Sequence, residues 1–265
     1  MKKTIGIIGA GNMGGAIYQI LKQSRLVRRV FICDQHTNKI SALKADNDSL
    51  SLADLLTRSD IIILAVKPQA FKDLADEIRV EIKNKLIVSV MAGVSTRIIC
   101  KLLKAKKVAR VMPNMPAQIG QGAIGWFANK QVIRTERLEV TKLLSALGLT
   151  IEFKKENLLD AVTAVSGSGP AYFFYLCEQL EAGAIKLGLD QKIAKLLVEQ
   201  TFFGSAALLK DRNIGATKLC QAINSRKGTT AAAIGVLEKN KFAKIFERAL
   251  LAAFRRAREL SKLYE

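Results

Sequence analysis

The sequence contains one histidine, His36, among 265 residues, and this scarcity excludes several kinds of chemistry. Because His36 lies near the start of the chain, its helical second half has no histidine for acid–base catalysis or for a nucleophile–histidine triad. No cluster of metal-ligating residues is visible. Four cysteines, Cys33, Cys100, Cys177 and Cys220, are widely separated and form no C-x-x-C pair. We therefore expect reduced, buried thiols rather than disulfides or a zinc site.

Long apolar runs are also missing. No stretch of about 18 uninterrupted apolar residues occurs, and the apolar run at the start of the chain is too short for a signal sequence or a membrane span. The hydrophobic fraction of 49% is nevertheless enough for a buried core. These features predict a cytoplasmic protein of one large or two modest domains, with no membrane partner.

Acidic residues are few: the chain has 23 Asp and Glu and 42 Lys and Arg, which gives a formal net charge of +19. The excess is +12 up to Asp160 and +7 after it, so it is spread along the chain. The short basic runs at 25–29 and 104–107 fall at expected helix ends, where solvated cations are common. We therefore expect no specific nucleic-acid partner, and a benefit for binding small anionic ligands instead.

The most informative segment covers residues 4–17, TIGIIGAGNMGGAI, an apolar run that leads through a G-x-G-x-x-G pattern into a helix-like sequence. Gly9 allows a tight turn, Gly11 lets backbone approach a pyrophosphate, and Gly14 lets the helix pack closely on the strand. The N–H groups that begin the helix are then free to bind the anion. The pattern predicts a dinucleotide-binding strand, turn and helix.

Asp34 follows a second apolar strand and lies twenty positions beyond Gly14. An acidic side chain there is typical of residues that bind the adenosine ribose hydroxyls, and its charge disfavours the 2′-phosphate of NADPH relative to NADH. His36 or Lys39 would offset that effect and admit NADPH. The alternative is that Asp34 caps the helix that follows. The cofactor is accordingly NAD or NADP.

Apolar strands at 60–66, 86–90 and 108–112 alternate with helix-like segments as far as residue 153, and Pro68 opens one of these helices. This alternation predicts an α/β Rossmann-type doubly wound parallel sheet. Ligands collect at the carboxyl ends of such strands, here the loops at 65–68, 91–93 and 113–116.

Beyond residue 160 only helical patterns remain, so we predict a dinucleotide-binding domain at 1–160 and an all-α C-terminal domain at 161–265. Residues 171–187 are apolar almost all round, which predicts a buried helix that ends at Gly188. The last helix carries an apolar stripe from Phe242 to Leu260. The stripe favours a dimer interface, with a self-contained helical bundle as the alternative.

Two segments of small residues interrupt these helices, at 166–170 (SGSGP) and 224–231 (NSRKGTTA). Both offer hydroxyl groups and backbone N–H groups at a helix start, an arrangement suited to a carboxylate. Capping and close helix packing explain the same residues equally well.

Together these residues resemble the pyrroline-5-carboxylate reductase family over essentially the whole chain. The matching motifs are GAGNMG at 9–14, AVKPQ at 65–69, MPNMP at 112–116, SGSGPAY at 166–172 and the segment 225–230. The resemblance implies a Rossmann domain and a helical dimerisation domain. It also implies an oxidoreductase that reduces the imine of 1-pyrroline-5-carboxylate to L-proline in proline biosynthesis, and a homodimer that can build a larger ring of dimers.

Carried over by position, the resemblance implies two sets of site residues. The residues expected to bind the cofactor are Gly9, Gly11, Asn12, Met13, Gly14, Asp34, Ala65, Val66, Lys67, Pro68, Ala92 and Asn114. The residues expected to bind the substrate are Ser225, Gly228, Thr229 and Thr230. The resemblance places the substrate between the nicotinamide and the segment 225–230. Thr230 is expected to be catalytic beside the pyrroline nitrogen, the alternative being a helix cap. Arg226 and Lys227 depart from the family, which usually has proline and glycine there.

Two rival functions are a β-hydroxyacid dehydrogenase of similar architecture and a dinucleotide-binding protein without catalysis. The first uses a lysine on the long interdomain helix, and residues 170–180 contain none. An assay of NADH or NADPH consumption with pyrroline-5-carboxylate separates all three.

Overall fold

The computed structural model describes residues 2–78, 82, 84–212 and 214–262. The chain forms two compact units, which we call unit 1 (residues up to 168 together with those from 252 onward) and unit 2 (residues 169–251). The predicted domains 1–160 and 161–265 therefore differ from these units at both ends of the helical segment. The residues from 252 onward belong to unit 1, and local sequence patterns do not reveal such a return of the chain.

Unit 1 is built on a single seven-stranded sheet with the strand order β2-β1-β3-β4-β5-β6-β7. The strands are β1 Thr4–Ile8, β2 Arg29–Cys33, β3 Ile61–Leu64, β4 Leu86–Ser89, β5 Lys107–Met112, β6 Gly122–Ala128 and β7 Gly148–Glu152. The predicted Rossmann-type α/β sheet is confirmed, and the strands expected from the sequence, β1 to β5, pair parallel. Strand β6, which the sequence pattern did not reveal, pairs antiparallel with β5. Only a short 3₁₀ segment, Met115–Ile119, connects them, whereas a parallel neighbour needs a longer crossover.

Helices cover both faces of this sheet. The helices of unit 1 are α1 Asn12–Gln23, α2 Thr37–Ala42, α3 Leu52–Arg58, α4 Phe71–Ile78, α5 Thr96–Leu103, α6 Arg134–Ser145 and α7 Leu158–Val162. Strand β3 shows why its sequence is apolar throughout: Ile61 and Ile63 join the core beneath α1 and α6, whereas Ile62 and Leu64 join the core beneath α3, α4 and α5. Pro68 begins a 3₁₀ turn, Pro68–Ala70, that runs directly into α4.

Unit 2 consists of helices. They are α8 Gly169–Lys186, α9 Gln191–Arg212, α10 Ala216–Ile223, α11 Thr229–Lys239 and the first part of α12 Phe242–Lys262. Gly188, with φ of +96°, follows α8 in the left-handed region, as expected of a residue that ends a helix. Within unit 2 the rings of Tyr172 and Phe246 meet edge to face with centroids 5.8 Å apart.

The expectation that α8 is buried is wrong for the single chain. Among its described residues only Gly169 is buried, and Phe173, Phe174 and Tyr175 are each about 60% exposed. An apolar pattern around a whole helix predicts that the helix is covered, but it does not say which chain covers it. Ile245 in the predicted stripe of α12 is likewise 55% exposed.

A buried ion network holds the far half of unit 1 together. The Arg110 guanidinium in β5 lies 3.4 Å from Glu156 Oε1 and 3.5 Å from Asp160 Oδ1, and its side chain is 6% exposed. Glu156 also accepts hydrogen bonds from Thr96 N–H and Thr96 Oγ1, at 2.7 and 2.6 Å. Ser261 Oγ donates to Asp160 Oδ1 over 3.2 Å. One arginine therefore connects β5 with the start of α5, with α7 and with the end of α12.

None of the helices in the described part of the chain combines the length and hydropathy that a membrane crossing requires.

We expect Arg110→Ala to lower the free energy of unfolding by about 3 to 5 kcal/mol, because it leaves the buried carboxylate of Asp160 and the half-buried one of Glu156 without their cation. Arg256→Ala is the matched control, since Arg256 pairs with Glu259 on the exposed surface of α12 and exposed pairs contribute little. Urea unfolding at constant protein concentration measures both. Equal midpoints for the two variants would show that the buried network adds no stability.

Candidate active site

The glycine-rich turn after β1 has a shape that only glycine permits. Gly9 has φ of +106°, and a Cβ there would lie 2.6 Å from the carbonyl oxygen of Ala65. A Cβ on Gly14 would overlap the carbonyl oxygen of Gly9. The backbone of α1 at Gly14 therefore packs directly against the backbone of the turn at Gly9. Gly11 differs from both, because a Cβ there meets no described atom within 4 Å. The open space beside Gly11 is therefore free for a ligand.

Helix α1 begins at this turn with its first N–H groups available. Gly11 is the N-cap residue, and no described side chain caps the helix. The first hydrogen bond of the helix runs from Gly15 N–H to Gly11 C=O at 2.7 Å. Helix N-termini with unpaired N–H groups bind phosphate, so this end of α1 suits the pyrophosphate of a dinucleotide.

A cavity of about 580 Å³ opens beside the turn at the carboxyl end of the sheet. It is lined by Gly11, Asn12, Met13, His36, Lys39, Ala65, Val66, Lys67, Pro68, Val90, Met91 and Ala92. The cavity therefore brings together the N-terminus of α1 with the loops after β2, β3 and β4. The volume of the cavity and the open space beside Gly11 suit a dinucleotide.

Most of the sequence-predicted cofactor residues meet at this cavity. Gly9 and Gly14 act behind it by shaping the turn, and Asp34 and Asn114 are not among its lining residues. Sequence reasoning missed Val90, the residue after β4, because an apolar residue that continues an apolar strand gives no signal of its own. The position of β4 beside β3 is what brings Val90 to the cavity.

Asp34 is held by its neighbours. Its Oδ2 accepts a hydrogen bond from Ala10 N–H at 2.7 Å, and its Oδ1 accepts one from His36 N–H at 2.8 Å. Lys39 Nζ lies 3.1 and 3.2 Å from the two oxygens. Burial favours a higher pKa for Asp34, but the bonds from His36, Ala10 and Lys39 together outweigh it and lower the pKa. The capping alternative is not what the structure shows, since α2 has His36 as its N-cap residue.

Cys33, next to Asp34, also supports the turn, through its backbone. Its carbonyl oxygen accepts a hydrogen bond from Gly9 N–H at 2.8 Å. Burial raises the pKa of the Cys33 thiol to about 12, and the nearby carboxylates of Asp34 and Glu77 add to the effect. The thiol is therefore protonated at neutral pH.

Asn114, which follows β5, has its amide committed to the protein. Its Nδ2 donates to the Ser166 carbonyl oxygen at 3.1 Å, and its Oδ1 accepts from Ala123 N–H at 2.9 Å. The residue is 8% exposed. Its side chain therefore ties the end of β5 to β6 and to the segment after α7.

The segment SGSGP at 166–170 joins α7 to α8, which begins at Gly169. Residues Thr163–Gly167 form a π-helical turn that continues α7, and Ser168 N–H donates to the Thr163 carbonyl oxygen at 2.8 Å. Ser166 Oγ donates to the Val162 carbonyl oxygen at 3.0 Å. A Cβ on Gly167 would lie 2.6 Å from the Met112 side chain. The structure thus favours the packing alternative at this segment over capture of a carboxylate.

The second small-residue segment, in unit 2, does begin a helix. Gly228 is the N-cap residue of α11, and no described side chain caps that helix, so Thr229 and Thr230 lie in its first turn. Gly228 N–H donates to the Ser225 carbonyl oxygen at 3.0 Å and closes a tight turn. Lys227 occupies the third position of this turn with φ of +64°, where glycine is usual. The turn presents N–H groups and two hydroxyl groups, as a carboxylate site requires.

Comparison with known proteins agrees with both halves of this description. A family model described as pyrroline-5-carboxylate reductase dimerisation matches residues 156–260, and one described as NADP oxidoreductase, coenzyme F420-dependent, matches residues 4–93. Pyrroline-5-carboxylate reductase of Pseudomonas aeruginosa is 37% identical over 97% of both chains. That of Haemophilus influenzae is 35% identical over 99% of both.

The chain belongs to the pyrroline-5-carboxylate reductase family. Solved structures of the family have the same fold. The reductase of Coxiella burnetii superposes with a TM-score of 0.91 at 33% identity, covering 98% of this chain and 99% of that one. The pyrroline carboxylate reductase of Plasmodium falciparum, solved with NADP bound, gives 0.86 at 28% identity and covers 98% of each chain.

Two glycine variants separate the roles within the turn. We expect Gly11→Ala to keep the stability of the fold but to weaken NADPH binding at least tenfold, about 1.4 kcal/mol, because its Cβ points into the open ligand space. We expect Gly14→Ala to destabilise the protein by about 1 to 3 kcal/mol, because α1 must move away from Gly9. Thermal unfolding and fluorescence titration with NADPH measure both effects. Unchanged NADPH affinity in Gly11→Ala would contradict the assignment of the cavity.

Proposed function

We infer that this protein is an oxidoreductase that reduces the imine bond of 1-pyrroline-5-carboxylate to L-proline, the final step of proline biosynthesis, with NADPH or NADH as hydride donor. The observation that carries the proposal is the likeness to relatives of this name over 97% or more of both chains. The dinucleotide cavity of unit 1 and the uncapped, hydroxyl-bearing helix start of unit 2 supply the two kinds of binding group that the reaction needs.

The reaction adds a hydride to the carbon of the C=N bond and a proton to its nitrogen. The bound cofactor supplies the hydride. Gly9, Gly11 and Gly14 would let the backbone approach the dinucleotide, and the first N–H groups of α1, from Asn12 and Met13, would hold its pyrophosphate. Ala65, Val66, Lys67, Pro68 and Ala92 form the wall of the cavity. We place the backbone of Asn114 near the nicotinamide end.

The substrate carboxylate is bound by the turn at the start of α11. Gly228 as N-cap leaves the first N–H groups of the helix free, and the side chains of Ser225 and Thr229 add hydroxyl donors. Lys227 keeps a left-handed backbone conformation that costs a residue with a side chain roughly 1 kcal/mol. The exposed side chains of Arg226 and Lys227 either point to solvent or help to hold the carboxylate.

Thr230 is the residue we assign to the pyrroline nitrogen. Its hydroxyl cannot act as a strong acid, but it can orient the nitrogen or relay a proton to it from water. The capping alternative has lost its support, because the N-cap position of α11 belongs to Gly228. Thr230 is half-buried in the second position of the helix.

The protein acts as a homodimer through residues beyond about 160, and dimers can assemble into a larger ring. The support is the match of residues 156–260 to a dimerisation family model, together with the exposed aromatic face of α8. We keep the functional division into a dinucleotide-binding domain at 1–160 and a helical domain at 161–265, and we place the protein in the cytoplasm.

The test of the function is consumption of NADPH or NADH, followed by absorbance, with pyrroline-5-carboxylate as substrate. In the same assay we expect Thr230→Ala to lower kcat/KM by about 10- to 100-fold, since a hydrogen bond to a charged group contributes roughly 1.5 to 3 kcal/mol. Thr230→Ser, which keeps the hydroxyl group, is the control and should change little. Folded wild-type protein that turns over neither cofactor would refute the function, and a fully active Thr230→Ala would remove this residue from the site.

Oligomer size can be tested on the exposed face of α8. We expect light scattering to give a dimer or a multiple of it for the wild type at micromolar concentration. Phe174→Asp, which puts a charge on an apolar face, should shift the mass toward the monomer. Leu138→Asp is the control, because Leu138 is exposed to the same degree on α6, outside the residues matched by the dimerisation model. A well-folded wild-type monomer would exclude the proposed interface.

A further inference from the structure

The carboxylate of Asp34 connects two loops that surround the dinucleotide cavity. Through Oδ2 it accepts from Ala10 N–H, inside the glycine-rich turn, and through Oδ1 it accepts from His36 N–H, in the loop after β2. Lys39 Nζ bridges both oxygens at 3.1 and 3.2 Å. Each oxygen therefore accepts one backbone N–H and one contact from the same ammonium group.

An Asp34 carboxylate held in this way is not free to accept hydrogen bonds from the ribose hydroxyls of a cofactor. The Asp34 side chain is 9% exposed and does not line the cavity, whereas His36 and Lys39 do. An acid that rejects a 2′-phosphate must present an uncompensated charge to it. Here the Lys39 ammonium lies directly against that charge and is itself 40% exposed.

We propose that Asp34 is a positioning residue that fixes the glycine-rich turn for either cofactor, and that Lys39, with His36 beside it, determines how well the 2′-phosphate of NADPH is accepted. The proposal uses the dinucleotide cofactor of the proposed function and is independent of the imine substrate. It replaces the expectation that Asp34 selects NADH by repelling the phosphate.

The variant Asp34→Asn tests the positioning role, because an asparagine amide cannot replace both carboxylate oxygens that accept the Ala10 and His36 N–H groups. One side of its amide accepts a hydrogen bond, while the other is an NH₂ group that would face a backbone N–H. We expect Asp34→Asn to weaken NADH and NADPH binding alike, by about tenfold or more, with the ratio of the two Kd values changed less than about twofold. The KM for both cofactors should rise, while kcat at saturating cofactor stays within about threefold.

A second variant tests the phosphate contact. Lys39→Met keeps the length of the side chain and leaves the two backbone hydrogen bonds of Asp34 in place, but it removes the ammonium group. We expect it to weaken NADPH binding about tenfold relative to NADH. Lys72→Met, an exposed lysine of α4 outside the cavity, is the matched control and should leave both Kd values unchanged.

Fluorescence titration with NADH and NADPH, without substrate, gives these constants for the intact protein. Amide hydrogen exchange in the ligand-free protein gives an independent result: at least one of the Ala10 and His36 amides should exchange faster in Asp34→Asn, and both should remain protected in Lys39→Met. The proposal is overturned if Asp34→Asn gains at least tenfold selectivity for NADPH, or if both amides stay protected in that variant. Loss of imine reduction with cofactor binding as described would refute the proposed substrate alone.

Discussion

Helix α1 can lie where it does only because residue 14 has no side chain. A Cβ there would overlap the Gly9 carbonyl oxygen, and any outward shift of the helix would carry Ile17 and Leu21 out of the core that they fill beneath the sheet. The same contact aims the N-terminus of α1 at the cavity between the loops after β2, β3 and β4. Packing of the fold and placement of the anion-binding N–H groups thus depend on one backbone-to-backbone approach.

The parts of the structure that were predictable are those encoded within a few residues. The glycine-rich turn and the fully apolar strand β3 carry local signals, since turn geometry and two-sided burial both restrict which residues fit. The place of β6 in the sheet, the exposure of α8 and the π-helical turn at Thr163–Gly167 carry no such signal. Strand β6 pairs with β7 as well as with β5, and the π-helical turn packs against Met112, which is distant in the chain. The apolar pattern of α8 does not say what covers the helix. Arg110 is the clearest case, because a charged residue inside a strand becomes intelligible only once Glu156 and Asp160 are placed against it.

Both predicted binding sites use the same physical device. Helices α1 and α11 each begin at a glycine N-cap, Gly11 and Gly228, and in neither does a described side chain cap the helix. The unpaired N–H groups that a serine or aspartate would satisfy elsewhere, as Ser95 does for α5, are left for an external anion. In the proposed function, a pyrophosphate and a carboxylate would be recognised through these backbone groups, and side chains such as Lys39 and Thr230 would discriminate between ligands.

The protonation state of the Cys33 thiol affects how this part of the protein responds to oxidants. Oxidation and disulfide exchange proceed through the thiolate, and with its pKa near 12 the Cys33 side chain holds only about one thiolate in 10⁵ at pH 7. The Cys33 thiol, at the end of the strand that supports the glycine-rich turn, is therefore a poor target for oxidation or disulfide exchange near neutral pH.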